Sequence, residues 1–146
     1  MKKILVGVDH SPRTSEVVGA AIELASRMGA TLVLFRAVTV PTDPLPDDYT
    51  IAPAEYGSVL QKRALVDLEE TAKTIPPHLL IQCEAELGIP WEAICRKAKA
   101  DEVDCIIIGS HGYGAIDRLI GTTAAKVVNH ADRSVLVVRA ASRIAA

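Results

Sequence analysis

Glycines and hydroxyl residues gather at one place in this chain in a pattern that can do chemistry. The apolar run Cys105-Ile106-Ile107-Ile108 leads into Gly109-Ser110-His111-Gly112-Tyr113-Gly114, and the stretch reaches Gly121-Thr122-Thr123 before a helical segment. Glycine lets backbone N–H groups approach an anion closely and takes up conformations that other residues resist. A helix N-terminus adds N–H groups without intrahelical acceptors and a partial positive charge. The hydroxyls of Ser110, Thr122 and Thr123 are further donors. Together these groups can cradle a triphosphate without a lysine. The stretch is not a Walker loop, because no Gly-Lys-Ser/Thr follows. Nor is it a dinucleotide fingerprint, because the glycines follow the fourth strand and lack that spacing. Each piece alone has a plainer reading: Gly109-x-x-Gly112 is weak evidence, and Thr122 or Thr123 can simply cap a helix.

Other reactive side chains offer less. His111 can act as a general base, but no carboxylate or nucleophile stands beside it in sequence, and no catalytic residue is assigned. His10, His78 and His130 are scattered without metal-ligand spacing. The three cysteines, Cys83, Cys95 and Cys105, are odd in number and form no CxxC, so they read as buried structural thiols. Tyr49, Tyr56 and Tyr113 read as loop tyrosines.

The elements that must position the loop follow from periodicity. Lys3 to Val8 is a continuous apolar run, as in a parallel strand buried on both faces. Ser11 and Pro12 suit the cap and first position of a helix. Val17, Ala21, Leu24, Ala25 and Met28 share one face of that helix, and Gly29 ends it. Thr31 to Val38 is a second buried strand. Val40 to Gly57 carries four prolines and reads as a long loop, functional or mobile. A helix from about Ser58 to Thr74 is closed by Pro76-Pro77. Leu79 to Leu87 alternates apolar and polar residues, as a half-exposed edge strand does. Pro90 opens a helix with Trp91, Ile94, Cys95 and Ala98 on its apolar face. Cys105 to Ile108 is the fourth strand, Thr123 to His130 the last helix, and Ser134 to Val138 the last strand. The order β-α-β-α-β-α-β-α-β is that of one doubly wound α/β domain.

Composition excludes several classes. The chain has 146 residues, the length of one domain, with 49% hydrophobic and 23% charged residues, a globular balance. Net charge is −2 and no basic cluster appears, so no nucleic-acid partner is expected. The apolar runs are strand-sized and none matches a signal peptide or a membrane span, so a cytoplasmic protein without membrane insertion is expected.

The whole chain resembles the universal stress protein family. The resemblance rests on Asp104 to Gly112, Gly121-Thr122, His130-Ala131 and Ser134 to Arg139, and on Lys3 to Asp9 and Gly88-Ile89-Pro90. It implies a five-stranded parallel sheet of order 3-2-1-4-5 with helices on both faces. It also implies an adenine nucleotide, ATP, as ligand, with Mg2+ held mainly by the phosphates. By position, Gly7, Val8 and Asp9 would border ribose and adenine, and Ala37 and Val38 would offer backbone groups to the adenine. Gly109, Ser110, His111, Gly112, Gly121, Thr122 and Thr123 would form the phosphate loop. Eight residues separate Gly112 from Gly121, one fewer than in the family's ATP-binding pattern. Asp9 has a plainer role open to it, capping the turn after its strand. A homodimer through Ser134 to Val138 is implied as well, and that unbroken apolar strand at a sheet edge needs cover in any case. Three functions stay open: a nucleotide-binding regulator with slow or no hydrolysis, an ATP-cleaving enzyme, and a dimeric interaction protein that has lost nucleotide. The second lacks the His-x-x-His or His-x-Gly-His element near strand one that its class carries. The protein partner is unknown.

Overall fold

A computed structural model describes residues 1–41, 53–110 and 120–139. Among them lie five strands and four helices: β1 Lys3–Gly7, α1 Thr14–Met28, β2 Thr31–Val38, α2 Pro53–Ala72, β3 Leu80–Leu87, α3 Pro90–Ala100, β4 Cys105–Gly109, α4 Thr122–His130 and β5 Ser134–Val138. All pairings are parallel and the sheet order is β3-β2-β1-β4-β5. This is the expected doubly wound α/β domain.

Strand residues alternate between two cores because successive side chains point to opposite faces. Ile4, Val6, Leu32, Leu34 and Ile107 pack under α1 and α2 with Val17, Val18, Ala21 and Leu68. Leu5, Val33, Phe35, Ile106 and Ile108 pack on the other face under α3 and α4 with Ile94, Ala98, Ala124 and Val127. The central strands β1, from Ile4 onward, and β4 are therefore apolar on both faces, whereas β5, at the edge, is half-exposed. Cys105 is buried, Cys83 and Cys95 are half-buried, and burial pushes all three thiols above their ordinary range. The expected burial is thus met at Cys105 and only in part at Cys83 and Cys95.

Two helix starts and one strand register differ from the sequence reading. Helix α1 begins at Thr14, not at Pro12. Its entry is a polar turn: Asp9 Oδ1 accepts the Ser11 N–H, and Ser11 Oγ accepts the Arg13 N–H. Short side chains that bond their own backbone compete with the helix at this point. Helix α2 begins at Pro53, inside the stretch read as a loop, because proline is tolerated in the first turn of a helix. Its Gly57 lies against β3, where an added Cβ would stand 2.9 Å from Leu87 Cδ1. Residues 42–52 of the same stretch are outside the described residues. In β3 the register shifts between its pairing with Leu32 and with Val33, so Leu32 faces Leu80 and Val33 faces Gln82. The slip interrupts the clean alternation and leaves Ile81 exposed.

Chain ends of the strands are tied across the lower edge of the sheet. Asp104, just before β4, accepts the Lys2 and Lys3 N–H groups at 2.7 and 2.9 Å. Those two bonds hold its carboxyl below the ordinary carboxylate value. Arg133, before β5, donates to the carbonyls of Ala98 and Val103, each at 2.8 Å.

Candidate functional site

Strand order reverses between β1 and β4, since the chain leaves β1 toward β2 on one side and returns as β4 on the other. At such a switch point the loops diverge and leave a crevice beyond the carboxyl ends of the strands. Here the crevice is a cavity of about 230 Å³. Its walls are Gly7, Val17, Ala37, Ile94 and Ile108, which are apolar, and its rim carries Asp9, Ser11, Arg13 and Thr14. Gly109, Ser110, Gly121, Thr122, Thr123 and Ala124 complete it.

Gly7 is where a side chain would not fit without movement. A Cβ there would lie 3.1 Å from both Ile108 Cγ2 and Ile94 Cδ1. The missing side chain thus lets α3 approach β1 at the base of the cavity. Pro90, at the start of α3, also faces the cavity, as does Thr14 at the start of α1 and Thr122 at the start of α4. Three helices therefore aim their N-termini, and the positive ends of their dipoles, at one space.

The glycine loop is closed at its base. The Gly121 N–H donates to the Ser110 carbonyl at 2.6 Å, and the Ser110 N–H donates to Val138 of β5 at 2.9 Å. Gly121 is the extended residue that enters α4, and its carbonyl accepts the Ala125 N–H. The N–H groups of Thr122, Thr123 and Ala124 precede that first helical bond and have no intrahelical acceptor. Gly121 thus shapes the loop, and the next three residues supply the donors.

Asp9 does what capping requires. Its Oδ1 accepts the Ser11 N–H at 3.0 Å, and the Thr14 hydroxyl donates to the Asp9 carbonyl at 2.8 Å. The carboxylate stays exposed at the rim.

The structure brings together Gly7, Val8, Asp9, Ala37, Gly109, Ser110, Gly121, Thr122 and Thr123. Val38 does not line the cavity; its carbonyl accepts the Gly88 N–H at 3.0 Å, an extension of the β2–β3 ladder. His111 and Gly112 lie outside the described residues. Sequence reading missed Arg13, Thr14, Val17 and Pro90 as lining residues. Ile94, on the apolar face of α3, also forms part of the cavity wall. Position after a strand's carboxyl end was the available signal for Arg13 and Thr14.

The remaining histidines have structural surroundings. His130 stacks on Trp91 with ring centroids 4.5 Å apart. Its Nδ1 lies 2.8 Å from the Lys126 carbonyl, which can only accept, so Nδ1 carries the proton of that bond. His10 and Arg36 approach Asp67 at 3.6 and 3.5 Å on the α2 side of the sheet. The exposed His10–Asp67 pair contributes little to stability. His78 is exposed. Among the described residues no group of three or more His, Cys, Asp or Glu side chains could hold a metal ion. No helix among them is long and apolar enough to cross a membrane.

Comparison with known proteins agrees with this architecture. The profile of the universal stress protein family matches residues 1–139. A universal stress protein of Thermus aquaticus is 32% identical over 145 residues, covering 94% of this chain and 98% of that one. The structure of universal stress protein UspA from Lactobacillus plantarum superposes with a TM-score of 0.70 at 28% identity, covering 94% and 97% of the two chains. A universal stress protein solved in complex with cAMP has a TM-score of 0.66 at 22% identity, covering 94% and 96%.

Proposed function

The chain belongs to the universal stress protein family, and from that premise we propose that it is an adenine-nucleotide-binding regulatory protein, with ATP as ligand. One observation carries the reading. The first-turn N–H groups of α4, which have no intrahelical acceptor, the Gly109–Ser110 turn and the apolar wall of Gly7, Ala37 and Ile94 converge on one cavity at the switch point. Phosphate suits the donor end, where amides and the helix dipole favour negative charge. A flat base suits the apolar end, with the backbone of Ala37 beside it. The relative solved with cAMP holds an adenine nucleotide on the same fold.

Mg2+ would be held mainly by the phosphates. It keeps several waters and needs only one or two carboxylates, and the described wall offers a single one, Asp9. When bound, the ion would neutralise phosphate charge. Hydrolysis is slow or absent in this reading: the described wall contains no histidine or lysine, and Asp9 is engaged in its own turn. The site of action is the cytoplasm.

Denaturing the purified protein and identifying released nucleotide by chromatography and mass tests the reading directly. Calorimetry should then show ATP binding more tightly than adenosine. Absence of released nucleotide together with no ATP binding at millimolar concentration would overturn it. Gly112→Val should weaken ATP binding by placing a side chain where backbone must approach phosphate.

The chain forms a two-fold dimer through β5 in the same reading. The Val138 carbonyl points to β4, where it accepts the Ser110 N–H. Strand residues alternate in the side to which they turn their backbone groups. Val135 and Val137 therefore turn theirs outward, toward a second copy. Leu136 is 40% exposed on the same edge. An isologous pairing would cover this apolar strand. Val137→Pro removes one outward donor while sparing the β4 ladder. It should convert a sedimenting dimer to monomer; a wild-type monomer at micromolar concentration would refute the dimer.

A further inference from the structure

We propose that Arg13 is the residue that gives this cavity its preference for phosphorylated ligands, by pairing with the phosphate chain of the bound nucleotide. The inference rests on the nucleotide reading and adds to it a side chain supplied from the entry to α1.

Charge is the first observation. Among the described lining residues only Asp9 and Arg13 are charged. Asp9 is occupied in shaping the entry to α1. Arg13 is the one cation in that wall. The N-terminal ends of α1 and α4 face the same space, so the guanidinium reinforces a field that already favours an anion.

Position is the second observation. Arg13 is the N-cap of α1, with φ −89° and ψ −5° and no side-chain cap bond. N-caps favour Ser, Thr, Asp and Asn, whose oxygens accept first-turn N–H groups. A cation at the positive end of a helix dipole is unfavourable. The guanidinium therefore does not cap α1; it adds a cation to the wall of the cavity beside the first turn of that helix. Guanidinium presents planar paired donors that match phosphate oxygens.

Environment is the third. Arg13 is half-buried, and its Nη1 atom is shielded from solvent. Charge–charge attraction is stronger where water is excluded.

The test is calorimetric titration of wild type, Arg13→Gln and Arg13→Lys with ATP and with adenosine, alongside thermal melts of the ligand-free proteins. Arg13→Gln should weaken ATP binding about 10- to 100-fold, the weight of a charge-assisted phosphate contact. Adenosine affinity should change by less than about twofold, because the base and sugar do not meet the guanidinium. Arg13→Lys should recover part of the loss, keeping charge without the paired geometry. Ligand-free Arg13→Gln should still melt cooperatively, which shows that the variant is folded when its ATP affinity is read. Equal losses for ATP and adenosine, or unchanged ATP affinity, would overturn the assignment while leaving the nucleotide reading intact. A lowered melting temperature with ATP selectivity preserved would assign Arg13 a purely structural part. Wild type that binds neither ligand would overturn both.

Discussion

Replacing Gly7 with alanine probes how closely α3 is seated over the cavity. The new methyl would begin 3.1 Å from Ile108 Cγ2 and 3.1 Å from Ile94 Cδ1. Comfortable carbon contacts lie near 3.5–4.0 Å, so each neighbour must retreat by several tenths of an ångström. Ile94 and Ile108 are 6% and 3% exposed, and neither can swing into solvent without uncovering the core. Overpacking of this kind costs about 1–3 kcal/mol. Alanine also narrows the unfolded ensemble, which returns about 0.4–1 kcal/mol. The net expectation is a loss of about 0.5–2 kcal/mol. Ile94→Val removes the Cδ1 atom and should cost about 0.5–1.5 kcal/mol alone. In the double variant the added methyl occupies the vacated space. The two losses should then fall short of additivity by about 1 kcal/mol. Urea unfolding of the four proteins, with unchanged m-values, measures the cycle. Strict additivity, or a Gly7→Ala protein as stable as wild type, would refute the seating described. ATP affinity should drop in Gly7→Ala and recover in the double variant, because Ile94 is itself part of the cavity wall.

Two further perturbations concern the scaffold. Lys97, 8% exposed on α3, bonds Glu84 of β3 and lies 3.1 Å from Asp101. Burial lowers its pKa, but the hydrogen bonds and charges of the two carboxylates outweigh that effect and raise it overall. Its stabilisation is present below the unfolded lysine's pKa and is lost as pH rises through the folded value. Lys97→Met leaves two carboxylates facing each other without their cation and should cost about 1–3 kcal/mol in urea unfolding, less than for a wholly buried pair because both acids are partly exposed. No loss would show that the pair is solvated in effect. Asp104 is the opposite case: the Lys2 and Lys3 N–H bonds depress its carboxyl below 3.8. Its contribution is present above the unfolded pKa and is lost as pH falls through the folded one. Asp104→Ala should be less stable at neutral pH, and its stability should fall less steeply in acid than that of wild type. Parallel acid limbs for the two proteins would contradict this.

Legibility differed by element for physical reasons. Periodicity in β1, β2, β4 and α3 was decisive, because strands buried on both faces and helices with one apolar stripe have few other ways to hide those residues. The start of α2 was obscured by prolines, which signal a loop and a first helical turn equally. The bulge at Ile81 was invisible in a run that alternates well, since register is set by the partner strand. Local reading placed Ser11 and Pro12 in a helix that the Asp9–Ser11–Arg13 turn delays to Thr14.

The sequence by itself determined the layered α/β architecture, the strand-to-loop junction at Gly109 and the donors at Thr122 and Thr123. Hydrophobic period, glycine placement and hydroxyl type are local properties, readable one segment at a time. Tertiary structure decided which segments share a wall. It brought Gly7, Ala37, Ile94 and Arg13, from four separate elements, around the space beyond β1 and β4. It also turned Val38 into the β3 ladder and gave Gly121's N–H to Ser110. Those outcomes depend on strand order and register, which fix distances between residues tens of positions apart and leave no mark in any local stretch of sequence.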